Sequence, residues 1–317
     1  MKRVFKVSVV VLVLFVVGFV TGGVVFSETV KILVPRSTSS VPFFLLADRG
    51  LSDGTGVEVS LFINHAQALA RLLRGEVDFL YTGTSQGWQN WLNGGKVVMV
   101  DTGVWGVSYL VGKDASIKSF ADLKGKRIAL PFPGSPLDFQ TRYILIKKGV
   151  SPDLDVQISY MPFNQSIGML IKGKIDAAPL PEPLVTNLVV NKGLLRLIDY
   201  KRAWADVNGG NEKSPQVSLF ALKSTVERNK RLVIELVNAW REASREVTEK
   251  PIEMGKRYAK RLSMPGNIVG SAVGNTLYYV PSFRKNMEEV VSYYNLMRQV
   301  LKTDSADLTR EFFFLGD

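Results

Sequence analysis

Short runs of apolar residues, bounded by turn residues, alternate along the chain with stretches whose apolar positions recur at helical spacing. Val30–Pro35 (VKILVP) predicts a strand passing through Pro35 into the Ser/Thr turn Ser37–Ser40, and Lys126–Pro131 (KRIALP) predicts a second strand passing through Pro131 to Gly134 and Ser135. After each comes a helical stretch ending in glycine, VPFFLLADRGL with Gly50 and LDFQTRYILIKKGV with Gly149. A strand ending in Asn follows in both, GVEVSLFIN (Asn64) and LDVQISYMPFN (Asn164). The third piece repeats most closely: LLRGEVDFLYTGTS (Leu72–Ser85) aligns with LIKGKIDAAPLPEP (Leu170–Pro183), sharing Leu, a basic residue, Gly and Asp in register. Gly75 and Gly173 read as helix C-caps, and Asp78 and Asp176 as early residues of the strands that follow.

The chain is thus an internal duplication, each half strand–helix–strand–helix–strand. Such alternation predicts an α/β fold, a mainly parallel sheet with helices on both faces, built twice. Beyond the second half, Gln216–Leu222 reads as one more strand. Leu232, Leu236, Trp240 and Ala243, then Met254 and Tyr258, then Tyr293, Met297 and Leu301 recur at helical spacing. Acidic and basic residues alternate on these helices, as in REASREVTEK, which marks a solvated face and not a nucleic-acid stripe.

At the amino end, Lys2, Arg3 and Lys6 precede Val7–Ser27, an uncharged run closed by Glu28. A basic start, an apolar core and small residues at Val25 and Ser27 predict export, residues 1–27 being a signal peptide or an uncleaved N-terminal anchor. Removing them takes away three positive charges and no negative one, so +8 of the +11 remains. With 46% hydrophobic and 22% charged residues the remainder is an ordinary globular chain. No Cys and a single histidine, His65, exclude thiolate zinc sites, iron–sulfur clusters, a Cys nucleophile, lipid attachment through cysteine and any multi-His metal site. No cofactor is expected. No G-x-S-x-G elbow, P-loop or H-E-x-x-H pair is present, so no enzyme is predicted.

SFADLKGKRIALP at Ser119–Pro131, with Gly134-Ser135 at the following helix start, GEVDFLYTGTS and GKIDAAPLPEP, resembles the corresponding phrases of periplasmic substrate-binding proteins of ABC importers. The resemblance is to the nitrate/sulfonate/taurine group, which includes binders of thiamin-pyrimidine precursors. It implies a two-lobed periplasmic-binding-protein fold (type II) whose sheets are joined by two crossing hinge strands and close on ligand. Lobe 1 would be 28–107 plus 220–317, lobe 2 would be 112–214, and the hinge about 106–112 and 214–222. Implied partners are a small-molecule ligand and an ABC permease with its ATPase; the expected state is a periplasmic monomer that binds no nucleic acid. Alternatives are a thiamin-pyrimidine-precursor binder of the same fold, a membrane-tethered ligand sensor, or a pyrimidine-synthesis enzyme. That enzyme relies on a Cys-rich segment, which this chain lacks.

Open parallel sheets bind ligands beyond the carboxyl ends of their strands, where chain enters helix. In the first lobe this singles out Ser39 and Ser40, and Thr84 and Ser85; in the second, Gly134, Ser135 and Glu182. Helix N-termini and hydroxyls there favour an anionic or carbonyl-bearing ligand, while each Ser or Thr also serves as an N-cap. Tyr81, Trp88, Trp105, Tyr109, Phe132 and Phe139 lie at or just after strand ends, and Trp105, flanked by Gly103 and Gly106, is the aromatic with most room. Members of the resembled group carry Trp before an acidic-Pro pair where this chain has Pro181-Glu182-Pro183. Glu182 therefore either accepts from a ligand amine or caps local backbone donors. His65 is expected as a solvated or hydrogen-bonded surface residue.

Overall fold

The computed structural model describes residues 29–301 and 306–316. Residues 1–27, read as an export segment, lie outside the described residues. The first half builds β1 (Thr29–Pro35), α1 (Val41–Arg49), β2 (Gly56–Phe62), α2 (His65–Leu73), β3 (Phe79–Gly83), α3 (Thr84–Leu92) and β4 (Val97–Gly106). The second builds β5 (Ser108–Gly112), β6 (Arg127–Leu130), α4 (Pro136–Lys147), β7 (Gln157–Tyr160), α5 (Phe163–Ile171), β8 (Ala177–Pro181), α6 (Leu184–Lys192), β9 (Leu195–Asp199) and α7 (Tyr200–Val207). The chain returns through β10 (Val217–Leu222) to α8 (Lys223–Arg228), α9 (Lys230–Glu249), α10 (Pro251–Leu262), α11 (Gly266–Gly274), β11 (Leu277–Tyr278) and α12 (Phe283–Leu301).

Two sheets result, ordered β11-β4-β10-β3-β1-β2 and β7-β6-β8-β5-β9. In the first, β1 to β4 run one way and β10 and β11 the other; in the second, only β5 opposes the rest. Each sheet is therefore mainly parallel with an antiparallel strand in the same place, and that strand arrives from the other lobe. Between the sheets the chain crosses at Val107 and again over residues 208–216. This second crossing lies along the first, with the Ser214 N–H on the Trp105 carbonyl (3.1 Å) and the Gln216 N–H on that of Val104 (2.9 Å).

The duplication is exact down to single hydrogen bonds. Gly75 and Gly173 follow the last turns of α2 and α5 with φ of 71° and 65°, a left-handed conformation that ends a helix at little cost only in glycine. Asp78 and Asp176, just ahead of β3 and β8, accept from the Lys31 and Arg127 N–H at 2.8 and 2.7 Å, while their own N–H groups donate back to the same residues' carbonyls. Each aspartate thus sets the register of the third strand on the first. The first sheet buries one face on α1, α9 and α10, where Phe43 stacks on Trp240 at 4.9 Å. Its other face and the second lobe share an apolar cluster in which α12 packs on both β4 and α4.

Candidate functional site

Contacts between the lobes gather at loops that follow strands β6 and β8 and at the second crossing, so the gap between the lobes there is the candidate site. Contacts span it on both sides. Gln89 of α3 donates to the Gly134 carbonyl (3.5 Å), and Asn275, just after α11, donates to Glu182 (3.0 Å). Gln216 on the second crossing reaches Gln140 of α4 at 2.7 Å.

The two lobes present their helix ends differently. In the second lobe the Ser135 hydroxyl caps α4 and the Glu182 carboxylate accepts from the first turn of α6, while α5 has no side-chain cap. Asp138 accepts the Gly134 N–H at 2.7 Å, and Ser135 Oγ accepts the Asp138 N–H at 3.1 Å. Glu182, fully buried at the start of α6, accepts from the Thr186 N–H (3.0 Å), Thr186 Oγ1 (2.9 Å), Arg196 (2.7 Å) and Asn275. Burial pushes its carboxyl above the usual range, against the pull of those donors. In the first lobe neither α1 nor α3 has a side-chain cap: the residue ahead of α3 is Gly83, and Ser40 Oγ donates to the Pro35 carbonyl at 2.5 Å. Ser85 Oγ, in the first turn of α3, is buried without a hydrogen-bond partner. The Val41 N–H donates to the Thr38 carbonyl, the Thr84 N–H to that of Gln216 (3.1 Å), and α2 is capped by Asn64, so the first-lobe starts left without a side-chain cap are the Thr38–Ser40 turn leading into α1 and the first turn of α3.

The other residues singled out in the sequence fall as follows. Ser39 is buried and bonded through its hydroxyl to that of Ser37; Thr84 Oγ1 lies 2.8 Å from Ser218 Oγ, so its hydroxyl is engaged within the sheet. Gly134, at φ 73°, turns the chain beside Gln89. Trp105 is buried and donates its indole N–H to the Tyr279 carbonyl at 2.7 Å, while the space beside Gly103 and Gly106 is filled by Trp240, Tyr81 and Lys201. The room left by the small residues is thus taken by the protein's own side chains. Tyr81, Trp88, Tyr109 and Phe139 are likewise buried, leaving Phe132 half-buried at the lip beside Gly134. His65 is the hydrogen-bonded of its two expected forms, half-buried at the start of α2: its Nδ1 lies 2.8 Å from Thr82 Oγ1, its ring meets Phe62 edge-on, and burial holds its pKa below the usual value.

Of the cations that might bias the gap, Arg142 is held by Asp138 and Asp153, Lys124 by Asp155, and Lys113 by the Ile171 carbonyl. Arg36 stands exposed at the carboxyl end of β1 with no ion-pair partner among the described residues. Sequence reasoning missed Gln89, Gln140, Arg196, Asn275 and Thr276. Their roles come from contacts between residues far apart in the chain, which no local pattern marks.

Comparison with known proteins matches this geometry. The chain is 35% identical over 80 residues to the nitrate/nitrite binding protein NrtA of Nostoc sp., covering 25% of this chain and 18% of that protein. It spans less than half the length of the curated relatives it matches. Among solved structures it superposes on the periplasmic aliphatic sulphonate binding protein SsuA of Escherichia coli with a TM-score of 0.71 at 19% identity, covering 90% of this chain and 92% of that one. The periplasmic nitrate-binding protein NrtA of Synechocystis gives a TM-score of 0.66 at 17% identity, covering 90% and 86%. These likenesses establish the periplasmic-binding-protein fold. Since the pattern of the NMT1-like family runs through residues 27–263, from β1 to the end of α10, the chain belongs to that family.

Proposed function

We propose that this chain is the exported solute receptor of an ABC importer, capturing a small organic or inorganic anion between its lobes and delivering it to a membrane permease with its ATPase. One observation supports the reading: in the first lobe the Thr38–Ser40 turn and the first turn of α3 have no side-chain cap and the Ser85 hydroxyl has no partner among the described residues, whereas in the second the Ser135 hydroxyl and the Glu182 carboxylate already fill the starts of α4 and α6. The ligand's oxygens would be held by main-chain N–H groups around Ser39, Ser40 and Ser85, with Gly134, Ser135 and Phe132 forming the opposing wall. Neutral donors in a dry gap suffice for a singly charged oxyanion. The nitrate and sulphonate binders among the similar proteins favour that chemistry. Glu182 has all its nearby donors supplied by the protein, which argues for its role as a cap over that of an amine acceptor. On this reading the protein works as a periplasmic monomer without a catalytic role.

The test is thermal unfolding of residues 28–317 with nitrate, methanesulfonate, taurine or a thiamin pyrimidine precursor. A true ligand at 100 times its dissociation constant adds about 2.7 kcal/mol. That should raise the melting temperature by roughly 5–10 °C. A shift with the pyrimidine alone moves the protein to the precursor-binding branch of the group; no shift with any of them removes the oxyanion reading.

A further inference from the structure

The segment between α11 and β11 belongs to the first lobe, since β11 pairs with β4 and α11 packs on α10 and on the Ser37–Ser40 turn. Two neighbouring side chains there point in opposite directions. Asn275 Nδ2 donates to Glu182 Oε1 in the second lobe at 3.0 Å. Thr276 Oγ1 donates to the Ala272 carbonyl (3.0 Å) and lies 2.8 Å from Thr38 Oγ1 in the turn ahead of α1. Tyr278 OH donates to the Thr38 carbonyl at 2.6 Å, fixing that turn from a second side. On the far side Glu182 is itself held by Arg196, whose guanidinium lies 4.5 Å over the ring of Tyr109, and Tyr109 OH donates to the Asn275 carbonyl at 3.3 Å.

We infer that Asn275 and Thr276 are positioning residues forming a strut between the lobes, which ties the second lobe's Glu182 to the Thr38 turn and so sets that turn by the degree of closure. The physical case is that Asn275, Thr276, Thr38, Tyr278 and Glu182 are all buried or half-buried, Arg196 behind Glu182 being the one exposed side chain. Buried hydrogen bonds to a carboxylate hold geometry more tightly than neutral exposed ones. Displacing lobe 2 would strip Glu182 of one donor and leave the Asn275 amide unpaired, so the strut offsets part of the cost of bringing the lobes together. Closure then costs ligand less, and the turn is already in its holding shape. The inference rests on the gap being the ligand site, but its test needs no ligand.

Because the chain has no Cys, Glu58→Cys on β2 and Lys172→Cys after α5, both exposed, allow a pair of spin labels, one on each lobe. The distance distribution of the full chain is expected to gain a longer population in Asn275→Ala and in Thr276→Val. The double variant should show no more of it than the larger single. Asn275→Asp keeps the shape but turns an acceptor and a charge toward Glu182, so it should open the lobes further than Asn275→Ala. A mere packing role would not make that distinction, and equal behaviour of the two overturns the hydrogen-bonded strut. An unchanged distribution in both single variants overturns it as well, and a change in Asn275→Ala without one in Thr276→Val removes the link to Thr38. Should Asn275→Ala lose its cooperative melting, Asn275→Ser, too short to reach Glu182, takes its place. A chain that shows these changes yet binds none of the anions above keeps the strut and loses the receptor reading; binding without the changes does the reverse.

Discussion

Asp101 lies fully buried in β4, with one carboxylate oxygen on the Thr102 N–H at 2.7 Å and the other without a partner. Burial pushes its carboxyl well above the usual range, against the Thr102 bond and the field of Arg241. A raised acid holds its proton more tightly folded than unfolded. Its contribution to stability is therefore complete below the ordinary carboxylate pKa and is lost as pH rises through the raised folded value. Asp101→Asn keeps the acceptor for Thr102 and removes the charge. It should stabilise the chain by about 1–3 kcal/mol at pH 8, and the gain should vanish toward pH 4. Melting curves that move in parallel at both pH values would refute this. At this scale the sequence named residues well and roles poorly. Ser135 and Glu182 were legible as polar residues at helix starts, but whether each holds a ligand or its own helix depended on what the fold brought within 3 Å.

Elements were more legible, because periodicity is local. The alternating runs gave β1, β2 and β6, the helical spacing gave α9, α10 and α12, and the repeat of Gly75 and Asp78 in Gly173 and Asp176 gave two equivalent lobes. What stayed hidden was how close elements come. Gly255 of α10 and Gly270 of α11 meet backbone to backbone, and a Cβ on Gly255 would lie 2.5 Å from the Gly270 Cα. Backbone cannot rotate away as a side chain does, so Gly255→Ala should cost about 2–3 kcal/mol. Urea unfolding measures it, and a midpoint unchanged at constant slope would show that the helices can separate. These two helices carry the segment with Asn275, so the same variant should also disturb the strut.

For the whole molecule, α12 matters beyond its own lobe. Tyr293 packs on Phe139 (4.9 Å) and Trp204 (5.4 Å) of the second lobe and on Trp88 (6.0 Å) of the first, so one helix is shared across the hinge. If the lobes close on ligand as proposed, the motion is a rotation that keeps this aromatic contact and moves the side with Gln89 and Gly134. Small-angle scattering should show a smaller radius of gyration with bound ligand than without. Identical curves at saturation, with binding established by calorimetry, would end the clamp reading. The net positive charge also changes meaning here. Arg142, Lys124 and Lys113 are matched by neighbouring acceptors, which leaves Arg36 as the cation of that set without an ion-pair partner among the described residues.

By itself the sequence determined the duplication, the α/β class, the absence of thiol and multi-His chemistry, and the Ser/Thr and Gly turns between strands and helices, since all of these follow from local pattern and inventory. Only the tertiary structure decided that Ser135 and Glu182 bond the starts of α4 and α6 while the first turn of α3 has no side-chain cap, that Trp105 is core, and that Asn275 reaches Glu182 in the second lobe while Thr276 meets Thr38 in the first. Those properties depend on distances of a few ångströms between residues up to 238 positions apart. Hydrogen bonding and packing are that short-ranged, and no pattern along the chain encodes which distant partner arrives.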